Sequence, residues 1–207
     1  MVEILLLLPV LLLALTVHEY SHGFIAYKMG DPTAKLSGRL TLNPLQHIDL
    51  LGLIIFLLFR FGWAKPVPIN PYNFKDIKKG IIYTAIAGPF SNFILAFLFG
   101  IVLRFFNYDN ISQALLPFYR MLQLGVVYNL ILCIFNLIPI PPLDGSKVLF
   151  NILPARYDYT KFWLERYGFL ILLGMIFIDN LGIPILWGWI GSFVKIIGGL
   201  FAGPSVI

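Results

Sequence analysis

Long runs of apolar residues dominate the chain and predict its architecture. A helix needs roughly 20 apolar residues to cross the hydrocarbon core of a bilayer. Four segments reach that length, and we expect each to be a transmembrane helix: about 3–28, 81–106, 118–139 and 167–194. A shorter apolar segment, at about 48–62, contains Arg60. Its length predicts a re-entrant or interfacial helix rather than a complete crossing.

Two short stretches between the first two spans have a different pattern. "GRLTLNP" (38–44) and "WAKPVPINP" (63–71) mix β-favouring residues with Pro and Asn. This mixture predicts a small β-hairpin, with an irregular loop as the alternative. Non-helical backbone is tolerated at membrane depth only beside protein or water, so the hairpin should line a cavity. We therefore expect an all-α polytopic membrane protein that carries this hairpin and forms a single membrane-embedded domain over 1–207.

The composition agrees with a membrane protein. Of the 207 residues, 59% are hydrophobic and 12% are charged, whereas about a quarter of the residues in soluble domains are charged. The acidic Glu3 and the lack of a small-residue cleavage pattern are unlike a signal peptide, so we expect the first segment to be retained. The single cysteine, Cys133, excludes an intrachain disulfide.

The formal net charge of +5 is explained by where the basic residues lie. Eight of the 15 Lys and Arg residues lie from Lys28, the last residue of the first span, to the start of the second span, and four lie between the third and fourth. The connection "NYDNISQ" (107–113), between the second and third spans, has none. The positive-inside rule therefore places both basic connections in the cytoplasm and both termini outside. Because topology accounts for the charge, we expect no nucleic-acid partner.

The first span carries ionisable residues in "HEYSH", residues 18–22. Helical residues four apart share a face, so His18 and His22 can bind one Zn²⁺ ion with Glu19 beside them as general base. A charged residue at the centre of a span costs roughly 3 kcal/mol on translocon-type scales, and such residues mark functional sites. The pattern predicts a catalytic zinc site, which needs a third protein ligand.

The third ligand has two candidates, His47 and Asp144. Asp144 follows the third span and three prolines in "FNLIPIPPLDGSKVLF" (135–150), where it could instead be the N-cap of a short helix. The predicted topology places Asp144 on the cytoplasmic side, at a depth similar to that of HEYSH. This placement favours Asp144, and His47 is then expected to be a loop residue or a neighbour of the ligands.

HEYSH and "NLIPIPPLDG" (136–145) together resemble the motifs of the site-2 protease family of intramembrane zinc metalloproteases. "AGPFSN" (87–92) is similar to the family's G-P-x-x-N element, and 38–71 is similar to its compact prokaryotic branch. No stretch is long enough for an inserted PDZ or CBS domain. The resemblance implies that His18, His22 and Asp144 are the zinc ligands and that Glu19 is the general base. It also implies that Asn92 and Asn136 line the substrate groove or stabilise the oxyanion.

The resemblance also implies an activity and a location. We expect hydrolysis of a peptide bond in or near a transmembrane segment of a membrane-protein substrate. The expected location is the prokaryotic plasma membrane, as a multi-pass protein whose active site faces the cytoplasm, with the lipid bilayer and the substrate as partners. Two alternatives are a membrane metal transporter and a non-proteolytic protein that binds membrane helices. The transporter would need polar residues along its whole path, and the binding protein would need no general base.

Overall fold

The computed structural model describes residues 2–59, 62–106 and 111–203. Within these ranges the chain is mostly helical. Its helices are α1 (Val2–Met29), α2 (Thr33–Leu36), α3 (Leu50–Phe59), α4 (Ile77–Leu103), α5 (Leu116–Asn136), α6 (Asp144–Ile152), α7 (Asp158–Asn180) and α8 (Leu186–Ala202). Short 3-10 turns occupy Pro44–Gln46, Pro71–Asn73 and Ala155–Tyr157.

Three of these helices are long and apolar enough to cross a membrane: Leu5–Met29 within α1, Ile77–Leu103 and Leu116–Asn136. They match the first three predicted spans, which are thereby confirmed as helices of the required length and composition. Each of the three packs against the other two. Helix α4 lies against the HEYSH end of α1, where His18 and His22 contact Asn92 and Thr84.

The prediction of one continuous helix over 167–194 is wrong, and four complete spans are therefore not confirmed. The chain leaves α7, turns at Gly182 with φ +89° and at Pro184, and then enters α8. Glycine adopts a positive φ without strain, and proline has no N–H for a helical hydrogen bond. The Asp179 carboxylate also accepts a hydrogen bond from the backbone N–H of Trp187 at 2.8 Å, which caps the start of α8.

The 17-residue helix α8 packs against α4 and α5. Near its start, Trp187 stacks on Phe135 at the end of α5. Near its end, the backbone oxygen of Phe201 accepts a hydrogen bond from Arg104 Nε, just after α4, at 2.7 Å. Helix α8 is thus antiparallel to α5 and parallel to α4.

The short helix predicted at about 48–62 is present as α3, which has ten residues. At 1.5 Å per residue it is about 15 Å long, half the roughly 30 Å thickness of a hydrocarbon core. Arg60 lies outside the described residues. That α3 is re-entrant or interfacial stays a prediction.

The predicted β-hairpin is wrong. Neither 38–44 nor 63–71 forms a strand, and the described parts of the chain contain no strand elsewhere. The pairing between the two halves of this region is limited to one isolated antiparallel bridge, between Ile48 and Ala64. The irregular loop that we considered as the alternative is therefore the observed structure.

Proline explains why a ladder does not form. Pro66 and Pro68 have no N–H to donate, so every second residue of this stretch is lost to backbone pairing. The buried Arg39 guanidinium instead donates through Nη2 to the backbone oxygens of Lys65 and Pro66, at 2.8 and 3.3 Å. The Arg39 side chain thereby supplies hydrogen bonds that a neighbouring strand would supply in a β-sheet. We call residues 64–70 the strap.

Asp31, a fully buried residue just after α1, binds the C-terminal end of the strap. Its carboxylate accepts hydrogen bonds from the Asn70 backbone N–H at 2.7 Å, Asn73 Nδ2 at 2.8 Å and the Thr33 backbone N–H at 3.1 Å. Burial raises the pKa of the Asp31 carboxyl, but the hydrogen bonds from Asn73, Thr33 and Asn70 outweigh burial and lower it below the usual value. The strap is therefore tied to the end of α1 through a carboxylate.

Candidate metal centre

The two histidines of HEYSH lie on one face of α1 and are both buried, with 5% of each residue exposed. Their Nε2 atoms are 3.0 Å apart. Asp144, the first residue of α6, joins them across the bundle, with Oδ2 at 3.2 Å from His18 Nε2 and 3.0 Å from His22 Nε2. The structure thus brings together two of the predicted ligands and the favoured third, although 122 residues separate His22 from Asp144.

The chain path after α5 explains how Asp144 reaches this position. Prolines end the helix, and α6 begins directly behind the end of α5, where a Cβ on Gly145 would lie 2.2 Å from the Leu137 backbone oxygen. Only glycine fits there. Leu143 is the N-cap of α6, so Asp144 is not the cap that we considered as an alternative. Its Oδ1 atom accepts from Lys147 Nζ at 2.9 Å, which leaves Oδ2 to face the histidines.

The outer nitrogen of each imidazole contacts a neighbour on α4. His22 Nδ1 is 2.6 Å from the Thr84 backbone oxygen, and His18 Nδ1 is 2.6 Å from Asn92 Oδ1. A carbonyl oxygen can only accept, so both Nδ1 atoms carry the hydrogen and donate it. Both Nε2 atoms then present a lone pair toward Asp144, as metal-binding histidines do.

Helix α4 approaches the histidines closely because residue 88 is glycine. A Cβ at Gly88 would lie 2.3 Å from His22 Nε2 and 2.6 Å from His18 Nε2. Real side chains do not tolerate such distances, so any other residue would displace the imidazoles. Gly88 and Asn92 are four residues apart on the face of α4 that meets α1, and both belong to the "AGPFSN" element.

The three facing atoms fit a tetrahedral metal ion. With metal–ligand bonds of about 2.0–2.1 Å, the ligand atoms of a tetrahedral site lie about 3.3 Å apart. The observed separations are 3.0, 3.0 and 3.2 Å. Two nitrogen lone pairs and a carboxylate oxygen at these distances repel one another unless a cation lies between them. Two imidazoles and one carboxylate are also a ligand set found in catalytic zinc sites.

Glu19 is half-buried, and the strap holds it. The backbone N–H of Val67 donates to Glu19 Oε2 at 3.0 Å. Val67 itself is buried. Because Glu19 directly follows His18 on α1, this bond places the middle of the strap beside the histidines.

The other predicted site residues lie around this centre. Asn92 is fully buried behind His18 and does not face an open groove. Asn136 is half-buried, and its Nδ2 donates to the Leu132 backbone oxygen of its own helix at 3.0 Å. His47 is buried, with Nε2 at 2.8 Å from the Thr41 backbone oxygen, and it does not belong to the metal-ligand group.

A cleft of about 190 Å³ opens between α1 and α5. Four leucines of α1, residues Leu8, Leu11, Leu12 and Leu15, form one wall. Ile131, Leu132 and Phe135 of α5 form the facing wall, with Trp63, Trp187 and His47 at the edges. Its lining is therefore mostly apolar, apart from a few polar groups such as Thr16 and His47.

Two residues that contact the candidate metal ligands or their neighbours were not predicted from the sequence. Thr84 acts through its backbone oxygen, which leaves no signature in the amino-acid type. Asn129, on α5, accepts a hydrogen bond from Asn92. An amide within the apolar run of a span was the available signal, because such a group needs a buried partner.

The chain matches known proteins over most of its length. The profile of peptidase family M50 matches residues 107–177, a stretch that includes Asp144. "Putative zinc metalloprotease YwhC" of Bacillus subtilis is 36% identical over 198 residues, which cover 92% of this chain and 90% of that protein. "Putative zinc metalloprotease Rip2" of Mycolicibacterium smegmatis is 28% identical over 176 residues, 80% of this chain and 64% of that protein.

An archaeal relative shows a smaller overlap. "Zinc metalloprotease MJ0392" of Methanocaldococcus jannaschii is 30% identical over 151 residues, which cover 73% of this chain. Those residues are only 35% of that protein. No solved structure matches the chain.

Proposed function

The chain belongs to peptidase family M50, the site-2 protease family of zinc metalloproteases, and from that premise we propose that it cleaves membrane proteins in or near a transmembrane segment. One observation carries the proposal. His18 and His22, on a helix long and apolar enough to cross a bilayer, and Asp144, at the start of α6, direct three ligand atoms toward one point. Ionisable groups at membrane depth cost free energy, and their presence there therefore marks a functional site.

In this proposal His18, His22 and Asp144 hold the zinc ion. The chemistry that zinc supplies when bound is Lewis-acid polarisation of a carbonyl group and acidification of a water molecule. Two imidazoles and one carboxylate would supply three ligands to such an ion and would leave a further position for water or substrate. The buried neighbours Thr84 and Asn92 keep the ligands oriented.

Glu19 is the proposed general base. Its carboxylate takes a proton from the attacking water and then delivers that proton to the departing amine. The Val67 N–H donates to Glu19 Oε2 at 3.0 Å and thereby fixes the orientation of the carboxylate. Oε1 then accepts and releases the proton. The amide of Asn136 is the proposed donor to the oxyanion, and it would exchange its bond to the Leu132 oxygen for one to substrate.

The proposed substrate is an apolar segment that has lost its helical hydrogen bonds, because a helix shields its own peptide bonds. The cleft between α1 and α5 offers it leucine and aromatic side chains. We place this site toward the cytoplasm, because the basic connections flank it.

The direct test uses a reporter protein with one transmembrane segment, reconstituted in proteoliposomes with the purified enzyme. Cleavage is followed by gel electrophoresis and mass spectrometry. We expect Glu19→Gln to lose cleavage by at least about 100-fold, in line with the usual contribution of a general base, while its zinc content stays that of the wild type. Equal cleavage by the two proteins would remove Glu19 from the mechanism.

A further inference from the structure

A row of buried polar side chains crosses the three packed helices from α1 to α5. His18 lies on α1, Asn92 on α4 and Asn129 on α5. Both asparagines are fully buried. The contacts are 2.6 Å from His18 Nδ1 to Asn92 Oδ1, and 2.9 Å from Asn92 Nδ2 to Asn129 Oδ1. Asn129 is therefore linked to His18, a proposed metal ligand, through the side chain of Asn92.

Backbone carbonyls set the direction of every hydrogen bond in this row. Asn129 Nδ2 donates to the Gly125 backbone oxygen at 2.8 Å, and Asn92 Nδ2 donates to the Ala14 backbone oxygen at 3.1 Å. A carbonyl oxygen cannot donate, so turning over either amide would bring two acceptors together. Asn129 can therefore only accept from Asn92.

The same logic fixes the histidine. With both hydrogens of its Nδ2 used on Ala14 and Asn129, Asn92 can offer His18 only an acceptor oxygen. His18 must then carry its hydrogen on Nδ1 and present a lone pair at Nε2. His22 reaches the same state directly, because its Nδ1 faces the Thr84 backbone oxygen. At the corresponding place His18 faces the side-chain amide of Asn92, which could present either its oxygen or its nitrogen to the ring.

We propose that Asn129 is a positioning residue for zinc binding: together with the Ala14 oxygen it holds the Asn92 amide in the orientation that sets the tautomer and ring orientation of His18. Without the Asn129 acceptor, one N–H of Asn92 is buried with no partner, and the Ala14 oxygen is the remaining acceptor for the amide nitrogen. The inference rests on the proposed zinc site. The competing account is that Asn129 only joins α5 to α4, as a hydrogen bond between two membrane helices.

The main variant is Asn129→Leu, which has a similar shape and no acceptor. Zinc affinity is measured on the purified full chain in detergent by competition with a chromophoric chelator. Loss of groups that orient metal ligands typically weakens metal binding by 10–100-fold, so we expect about tenfold weaker zinc binding, and Asn129→Asp within about threefold of wild type. A buried Asp carboxyl is favoured in its protonated form, which donates to the Gly125 oxygen and retains an oxygen that accepts from Asn92.

A matched control separates positioning from packing. Leu130 is the adjacent residue on α5 and is also fully buried, within the hydrophobic core. Leu130→Ala should lower the melting temperature through the cavity that it creates, and it should leave zinc affinity unchanged. Cobalt-substituted protein adds a spectroscopic reading: the visible absorption of bound Co²⁺ should change in Asn129→Leu and stay unchanged in Leu130→Ala.

A double-mutant cycle tests the route through Asn92. We expect Asn92→Ala to weaken zinc binding, and we expect Asn129→Leu to add nothing further in that background, because the two residues act in series. The inference fails if Asn129→Leu binds zinc as wild type does, or if its full effect persists with Asn92→Ala. If the wild-type chain binds no zinc through His18, the proposed function fails instead, so the two failures are distinguishable.

Discussion

At the scale of single residues, close contact between α1 and α4 is what holds the two histidines in place. His22 meets a backbone oxygen of α4, His18 meets the Asn92 amide, and Gly88 lies between them. All three contacts come from one face of α4. A side chain at residue 88 would occupy the space that the imidazole nitrogens need.

We predict that Gly88→Ala loses most of its bound zinc. The added Cβ would lie 2.3 Å from His22 Nε2, so the ring must rotate away from Asp144. Metal content of the purified protein, measured by inductively coupled plasma mass spectrometry, gives the answer. Gly174→Ala is the matched control, because a Cβ there meets nothing within 4 Å. Stoichiometric zinc in Gly88→Ala would mean that the ion binds elsewhere.

A second prediction at this scale separates the two candidates for the third ligand. Asp144→Ala should lower zinc affinity by orders of magnitude, because it removes the oxygen that faces both histidines. His47→Ala should keep wild-type zinc affinity, since His47 lies outside the ligand group. Equilibrium dialysis against buffered zinc measures both variants. The reverse ranking would make His47 the ligand.

The candidate ligands could be predicted from sequence because their chemistry is tied to residue type and spacing. Histidines four apart on a helix share a face whatever surrounds them. Asp144 was favoured by the predicted topology and by the family resemblance, and the structure brings it to the histidines. Thr84 could not be found in this way, because any residue at that position supplies a backbone oxygen. The orientation of Asn92 depends on Asn129, and that pairing depends on how α4 and α5 pack.

At the scale of elements, the strap is one part of the fold for which the prediction from sequence was wrong. Its β-favouring residues Val67 and Ile69 are typical of a strand, but its prolines remove the hydrogen-bond donors that a ladder requires. Side chains hold it instead: Arg39 at one end, Glu19 in the middle and Asp31 at the other end. Such contacts join residues far apart in sequence, so local patterns do not reveal them.

The helix broken near Gly182 has a similar cause. Residues 167–194 are apolar enough to read as one span, but the Asp179 carboxylate caps a new helix that begins at Leu186. A carboxylate that ends one helix and starts the next is a tertiary feature. Apolar length predicts that a segment is helical far better than it predicts where the helix stops.

We predict that the strap depends on the charge of Asp31. Because the pKa of Asp31 is lowered in the folded protein, its stabilising effect is complete above the unfolded value of about 3.9 and is lost as pH falls through the lower folded value. Asp31→Asn should lower stability by roughly 1–3 kcal/mol near neutral pH, as expected for a buried acceptor that loses charged hydrogen bonds.

Thermal unfolding of the detergent-solubilised protein, followed between about pH 3 and pH 7, measures this effect. The difference in melting temperature between wild type and Asp31→Asn should shrink toward the acidic end. Asp76→Asn is a suitable comparison, because Asp76 is an exposed helix N-cap away from the strap and its pKa is also lowered, by the Lys79 backbone N–H. A constant difference between wild type and Asp31→Asn across this range would show that charge is not what Asp31 contributes.

At the scale of the whole molecule, the direction of the helices determines which side of the membrane the site faces. Helices α1 and α5 carry HEYSH and the approach to Asp144 near their C-terminal ends, while α4 runs the opposite way between them. The basic connections follow α1 and α5, whereas the α4–α5 connection has a single basic residue, Arg104, directly after α4. If positive charge sets orientation, the metal centre, the strap and α6 all belong to the cytoplasmic side.

Two serines test this orientation with equal substitutions. Ser37 is exposed in the basic connection after α1, and Ser112 is exposed in the connection between α4 and α5. In a Cys133→Ala background, a membrane-impermeant maleimide should label Ser112→Cys in intact cells and leave Ser37→Cys unlabelled. Inverted membrane vesicles should give the opposite result. Labelling of Ser37→Cys in intact cells would put Glu19 and the metal ligands on the outer side, and the substrate would then have to be cut from there.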